Sequence, residues 1–192
     1  MRDEAQFWNM RKTIVICVFL MLIISGCSVS TEMSKPAGDI TIIDSDGTEI
    51  SVPANATAAV LYGSFADAWL LAGGNLVGTT EDAVSERNLD IPDGTEILGT
   101  VKEPNVEALI ACDPDLVILS ADITAQGQLK EQLAQTGIPC AYFQVDAFSD
   151  YAFMMEQFCH ITGREDLYER HVSQVQRTID NILDSIPQGE AP

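Results

Sequence analysis

Short apolar runs alternate with helical stretches from Ala58 to Val145, and this alternation constrains the fold more than any other feature of the chain. The runs with strand character are 58–62, 76–79, 96–99, 116–120 and 138–145. The stretches with helical character are 65–72, 105–111, 125–135 and 149–161. Strands that alternate with helices at this spacing form a mostly parallel sheet with helices on both faces. The sequence therefore predicts an α/β fold, with one Rossmann-like lobe over residues 39–162.

A β-hairpin is expected before this lobe's parallel sheet begins. Ile40–Asp44 and Thr48–Val52 both have strand character, and Asp46-Gly47 lies between them. An Asp-Gly pair between two apolar runs is among the strongest short-range hairpin signals. We expect these two strands to pair with each other at the start of the folded region.

A long helix is expected after Gly163, over residues 163–187. Apolar or partly apolar side chains recur there every three to four positions, at Leu167, His171, Val175, Ile179, Ile182 and Ile186. One face is therefore apolar for some 20 residues, about 30 Å of helix. A single small lobe does not need so long a strut. We expect a short tail over 188–192, after which no strand receives the chain.

The N-terminal 26 residues have the pattern of a secretory signal. Arg11 and Lys12 precede an apolar run from Ile14 to Ile24, which is too short to span a bilayer as a helix. The run ends in Ile24-Ser25-Gly26-Cys27, which resembles the lipobox of bacterial lipoprotein precursors. This resemblance implies cleavage before Cys27, acylation of its thiol with a palmitate-like chain, and a flexible tether over 27–38.

Two alternatives remain open at this end of the chain. The segment is also compatible with an ordinary cleaved signal followed by a chance cysteine. Translation could also start at Met10, whose Arg11 and Lys12 give a more typical signal than Met1 with Asp3 and Glu4. The expected location is extracytoplasmic in either case, and lipid-anchored to the cell membrane if Cys27 is acylated.

The formal net charge of −19 narrows the range of partners. An acidic surface repels nucleic acid and anionic lipid headgroups, so no nucleic-acid partner is expected. The acidic residues are spread along the chain, which favours a solubilising exterior. Attraction for a cationic ligand or partner is the alternative interpretation.

Cysteine and histidine spacing does not indicate a metal site. Cys112, Cys140 and Cys159 form no CxxC motif. Cys112 and Cys140 are expected to be small core residues, with a disulfide between them as the less favoured alternative. His160 and His171 fall on the late helices, away from the strand ends. A zinc site would need several such ligands converging on one ion.

No catalytic motif is present, so no catalytic residue is expected and the chain is not interpreted as an enzyme. The sequence contains no Walker loop, GxSxG or HExxH. The glycine-rich stretch 71–78 follows a predicted helix and precedes a predicted strand. That is the reverse of the order needed for a dinucleotide site.

A resemblance to a known family rests on residues 99–119, which run GTVKEPNVEALIACDPDLVIL. The stretch resembles that family's glycine, its "N-x-E" at a helix start and its "P-D-L-V-I" at a strand start, and 133–139 resembles the following "L...GIPV". The family is that of the substrate-binding proteins of ABC importers for ferric siderophores, haem and cobalamin. The likeness covers Ile40 to about Ser185.

The resemblance implies a clamp of two Rossmann-like lobes joined by one long helix, with a ligand cleft between them. This sequence supplies the first lobe and the connecting helix, and the second lobe is absent from it. A truncated gene or a fragment is the simplest interpretation. The implied function is capture of an iron chelate or a corrinoid and its delivery to an ABC permease with its ATPase. A lipid-anchored sensor or interaction module that reuses the lobe without transport is the alternative.

The resemblance also assigns a role to Glu107, which matches the family glutamate that pairs with arginines of the permease. The alternative role is electrostatic, because a first-turn glutamate is favoured by the helix dipole.

Ligand contacts are expected in the loops after the strands, because ligands of such sheets meet the carboxyl ends of the strands. Tyr62, Phe65 and Trp69 could stack on a flat or aryl-rich chelate. Trp69 follows Phe65 by one helical turn, so a core role for one of the two is the alternative interpretation. Lys102 could pair with an anionic ligand, and Thr80 and Asp122 could form hydrogen bonds to it. The loop 100–104 contains no Trp or Tyr to cover a corrin, which favours a siderophore over cobalamin.

Overall fold

The computed structural model describes residues 38–186 of the 192-residue chain. The predicted signal peptide 1–26, Cys27, the tether up to residue 37 and the tail 188–192 lie outside the described residues. Their assignments remain predictions.

The predicted hairpin is formed by β1 (Asp39–Ile43) and β2 (Glu49–Pro53), which pair antiparallel. Alternate residues of these strands face inward, and Ile42, Ile50 and Val52 are buried. The carboxylate of Asp44 stabilises the turn, because its Oδ1 accepts hydrogen bonds from the backbone N–H groups of Asp46 at 3.0 Å and Thr48 at 2.9 Å. Such an Asx-type contact is a common reason for an aspartate to precede a turn.

A five-stranded parallel sheet follows. Its strands are β3 (Thr57–Val60), β4 (Asn75–Thr79), β5 (Glu96–Ile97), β6 (Leu116–Ser120) and β7 (Cys140–Phe143). The spatial order is β5-β4-β3-β6-β7, and every neighbouring pair is parallel. All five residues of β6 are buried, as expected for a strand covered on both faces. The predicted α/β sheet is confirmed.

Helices cover both faces of the sheet. They are α1 (Gly63–Leu71), α2 (Asp82–Ser85), α3 (Val106–Ala111), α4 (Thr124–Gly127), α5 (Lys130–Ala134) and α6 (Phe148–Thr162). Two features differ from the prediction: α2 was not expected, and the helix predicted over 125–135 is divided into α4 and α5. Helix α2 has only four residues, too few to show a helical period.

Two buried clusters lie on the opposite faces of the sheet, because successive strand residues point to opposite sides. Val60 belongs to the cluster beneath α1 and α6, with Trp69, Phe143 and Phe158. Leu61 belongs to the other cluster, which α3 and α5 close with Leu109 and Leu133. The lobe is therefore a three-layer sandwich with the sheet in the middle.

The predicted long helix begins after Gly163, whose φ of 65° terminates α6. It comprises α7 (Glu165–Tyr168), a π-helical turn (Glu169–Ser173) and α8 (Gln174–Asp184), and we call it the connector helix. Its first part is docked on the lobe through Leu167 and Val172, which are 8% and 3% exposed. Helix α8 has no buried residue, and Ile182 and Leu183 are each 58% exposed.

No helix among residues 38–186 has the length and apolar character needed to cross a bilayer.

Candidate functional site

Five loops leave the carboxyl ends of the parallel strands at one edge of the sheet, which we call the strand-end edge. It consists of residues 61–63, 80–82, 98–105, 121–123 and 144–147, which follow β3, β4, β5, β6 and β7 in that order. Parallel strands bring all their carboxyl ends to the same edge, and open α/β sheets bind ligands there. The loops after the central strand β3 and its neighbours lie in the middle of this edge.

Tyr62 is a partly exposed aromatic residue that follows β3, the central strand, and it packs against the core cluster beneath α1. It is extended, with φ −154° and ψ 124°, and it is the residue immediately before α1. It is half-buried, and its ring lies edge-on to that of Phe65 with the centroids 5.2 Å apart. Phe65 is only 4% exposed, so it acts chiefly as the support of the tyrosine ring.

Gln126, fully buried in α4, connects two of the five loops to the last residue of β6. Its Nε2 donates hydrogen bonds to the backbone carbonyls of Leu61 at 2.6 Å and Val101 at 3.3 Å. Its Oε1 accepts a hydrogen bond from the backbone N–H of Ser120 at 2.8 Å. One side chain therefore links the loops that follow β3 and β5 to the end of β6. Sequence reasoning missed this residue, because a glutamine in a polar helix has no pattern that marks it as buried.

Asp82 connects the remaining central loop, after β4, to the loop after β3. Its side chain is 7% exposed, its Oδ2 accepts the backbone N–H of Gly63 at 2.8 Å, and its Oδ1 accepts the hydroxyl of Thr80 at 2.6 Å. The contact is close because Gly63 has no side chain. A Cβ there would lie 2.7 Å from that carboxylate oxygen and from the amide nitrogen of Ala83.

Besides Phe65, two further predicted ligand contacts lie in the interior and do not reach the surface of the strand-end edge. Trp69 has no exposed surface; it packs edge-on against Phe158 in the core, with centroids 5.2 Å apart. Thr80 is also completely buried, and its hydroxyl is committed to Asp82. In both cases, adjacency to a strand end in sequence did not reveal that the side chain faces inward.

Lys102 and Asp122 are exposed at the strand-end edge, as a ligand contact requires. The loop that carries Lys102 is shaped by Gly99, which has φ 82° and forms an antiparallel bridge with Pro104. A Cβ on Gly99 would lie 2.8 Å from the carbonyl oxygen of Glu103. Glycine is therefore needed both for the positive φ and for the close approach.

Glu107 is exposed in the first turn of α3. The helix is capped by Asn105, whose Oδ1 accepts the backbone N–H of Ala108 at 3.1 Å. The Glu107 carboxylate lies on the outer surface, beside the loop that follows β5. A role in docking remains a prediction.

The described residues contain no cluster of three or more His, Cys, Asp or Glu side chains able to hold a metal ion. Cys112, Cys140 and Cys159 are free thiols.

A comparison with solved structures shows that this architecture is that of one lobe of a periplasmic binding protein. The catecholate-siderophore binding protein VctP of Vibrio cholerae is 17% identical with a TM-score of 0.62, over 76% of this chain and 53% of its own. The petrobactin-binding protein YclQ of Bacillus subtilis is 20% identical with a TM-score of 0.62, over 75% and 52%. The vitamin B12 binding protein BtuF of Vibrio cholerae is 18% identical with a TM-score of 0.56, over 67% and 50%.

The chain belongs to the periplasmic binding protein family, whose sequence model matches residues 59–192. The chain spans about half the length of the solved structures that it matches. A comparison with curated proteins gives no match.

Proposed function

We propose that this protein is a solute-binding lipoprotein that captures a ferric chelate or a corrinoid outside the cell membrane and delivers it to an ABC importer. The observation that carries the proposal is the strand-end edge, where buried hydrogen bonds hold the backbone of Leu61 and Gly63 on either side of the half-buried Tyr62. Membership of the periplasmic binding protein family supports the class and the extracytoplasmic location.

The ligand is proposed to lie on the strand-end edge, in contact with Tyr62, Lys102 and Asp122. The tyrosine ring offers an aromatic face to a flat or aryl-rich chelate, and the lysine offers a cation to its anionic groups. Between residues 100 and 104 no Trp or Tyr is available to cover a corrin, which favours a siderophore. Two of the similar structures carry siderophore-type ligands in their names, petrobactin and a catecholate siderophore, and a third carries vitamin B12.

Binding is tested by titrating the full chain with ferric siderophores, haem and cobalamin, with Zn²⁺ as the control ion. The same titrations are repeated with the chain extended by any sequence that follows Pro192 in its gene. Saturable binding of one chelate supports the proposal. The Tyr62→Ala variant should weaken that binding about three- to tenfold, the equivalent of an aromatic contact of roughly 0.5–1.5 kcal/mol. Tyr168→Ala, on the connector helix, is the matched control and should bind like the unsubstituted chain.

Delivery is proposed to depend on the exposed Glu107 and on a lipid at Cys27. Charge pairs of an exposed carboxylate with arginines of a permease steer docking and fix its register. We expect Glu107→Lys to abolish capture of the permease complex while leaving chelate binding unchanged. Glu103→Lys, at an exposed position in the adjacent loop, is the control. Chelate binding without any capture of a permease would favour the sensor function instead.

A further inference from the structure

We infer that Gln126 and Asp82 form a polar clamp that fixes the backbone of residues 61–63, so that Tyr62 is held in its ligand-binding orientation before any ligand arrives. The inference rests on the proposed function, because Tyr62 is a ligand contact only if the strand-end edge is the binding site. It assigns positioning roles to two residues that do not themselves reach the ligand.

The two residues act on the segment from opposite sides. In the strand order, β3 lies between β4 and β6. Asp82 follows β4 and accepts the N–H of Gly63 at 2.8 Å, whereas Gln126 lies beyond β6 and donates to the carbonyl of Leu61 at 2.6 Å. The polar backbone groups on both sides of Tyr62 are thus bound to buried side chains from different loops.

The chemistry of Gln126 suits this position because a carboxamide carries both a donor and an acceptor. The carboxamide both donates and accepts, and here it serves two carbonyls and one N–H at once. A leucine or methionine of similar size would leave the Ser120 N–H and the Leu61 carbonyl without partners in a buried site. A glutamate could not donate when ionised. Since the burial is complete, water cannot replace the missing hydrogen bonds.

A pre-positioned tyrosine improves affinity because the loop does not have to be ordered when the ligand binds. The Gln126→Met variant of the full chain should therefore bind its chelate about threefold more weakly than the unsubstituted chain, a loss no larger than that of Tyr62→Ala. The matched control is Thr162→Val. Its hydroxyl donates to the carbonyl of Ala72 at 2.7 Å, and it lies at the far end of α1, away from the strand-end edge. Thr162→Val should lower the unfolding temperature but leave the affinity unchanged.

A double-mutant cycle with Tyr62→Ala separates positioning from general destabilisation. If the clamp acts through Tyr62, Gln126→Met should change the affinity less than twofold when the tyrosine is already absent. Additive losses, or an unchanged affinity in Gln126→Met alone, would overturn the inference. If the unsubstituted chain and its extended form bind no chelate, the proposed function fails first and independently.

Amide hydrogen exchange tests the clamp without any ligand. In the unsubstituted chain, the N–H groups of Ser120 and Gly63 should be protected, because their acceptors are Gln126 and Asp82. Gln126→Met should accelerate exchange at Ser120 by at least tenfold, and also at Gly63, which it does not contact. Unchanged exchange at Gly63 would show that the two residues hold the segment independently, and the clamp would be refuted.

Discussion

Trp69 lies edge-on to Phe158, with the ring planes at 90° and the centroids 5.2 Å apart, and this pair joins α1 to α6. The indole is completely buried, and the backbone of Gly74 passes directly over its ring. A side chain on Gly74 would overlap three atoms of the indole, Cε2, Cδ2 and Nε1. The turn after α1 therefore depends on a glycine because of the tryptophan, and the tryptophan is a structural residue of the core.

Gly74→Ala should consequently destabilise the protein by about 1–3 kcal/mol, since overpacking forces side chains out of their preferred rotamers. Gly127→Ala is the control: nothing lies within 4 Å of the added carbon, and alanine in helix α4 should be neutral or stabilising by up to about 1 kcal/mol. Urea denaturation followed by circular dichroism measures both. Equal stability of Gly74→Ala and the unsubstituted chain would contradict the placement of the indole.

The buried carboxylate of Asp82 leads to a second stability prediction. Asp82→Ala would leave the Gly63 N–H and the Thr80 hydroxyl buried without acceptors. Each unsatisfied buried group costs about 1–3 kcal/mol, so we expect the two together to lower the free energy of unfolding by about 2–6 kcal/mol. Asp122→Ala removes an exposed carboxylate and should change it by less than about 0.5 kcal/mol. Similar losses in the two variants would show that Asp82 is not buried.

The order of strands and helices could be predicted from the sequence because the apolar residues of each element recur at the spacing of a strand or a helix. Turn-forming residues also mark where elements begin and end. The strand 116–120 was predicted with the bounds that it has, since a short β-branched run follows Asp113-Pro114-Asp115. Gly163 likewise marked the break before the connector helix, and it adopts the positive φ that such a cap requires.

The inward or outward direction of individual side chains could not be predicted in the same way. Trp69 and Thr80 were expected at the ligand and lie in the interior. The sequence after a strand end does not specify which side chains of the following loop and helix face the core. Gln126 and Asp82 were missed because their roles depend on partners 65 and 19 residues away along the chain. A polar residue shows no hydrophobic period, so its burial is visible only in the folded chain.

The connector helix should respond to substitution very differently along its length. Leu167 is 8% exposed and packs beside Gly73, so Leu167→Ala should cost about 2–3 kcal/mol. Ile182 is 58% exposed, and Ile182→Ala should change the free energy of unfolding by less than about 0.5 kcal/mol. Thermal unfolding of the two variants makes the comparison. An equally large loss at Ile182 would mean that α8 is packed against another surface.

The exposed apolar stripe on α8 should also promote self-association of the chain. Val175, Ile182, Leu183 and Ile186 are all more than 40% exposed on this helix and the residues that follow it. Contiguous apolar surface of this kind favours association. We expect sedimentation velocity to show dimers or larger species, and a double Ile182→Lys, Leu183→Lys variant to remain monomeric at the same concentration. A clean monomer of the unsubstituted chain would contradict this expectation.

Of the five cysteines in the chain, the three within residues 38–186, Cys112, Cys140 and Cys159, should be unreactive at neutral pH. Burial raises the pKa of Cys140 from its ordinary value of 9.0 to about 11. It also raises the pKa of Cys159 to about 11, with a smaller effect from Asp166, and it raises the pKa of Cys112, with a smaller effect from Glu96. The thiolate is the nucleophile, so a thiol reagent at pH 8 should label the folded chain far more slowly than the urea-unfolded chain.

The same shifts make stability depend on pH at the alkaline end. The unfolded chain loses these thiol protons near pH 9, whereas the folded chain keeps those of Cys140 and Cys159 until about pH 11. The contribution of these groups is therefore complete below pH 9, and it is lost as the pH rises from 9 to 11. The urea midpoint should fall over that interval, and it should fall less in a Cys140→Ala, Cys159→Ala variant. An identical fall in the variant would show that other groups, such as lysines or tyrosines, account for the whole alkaline transition.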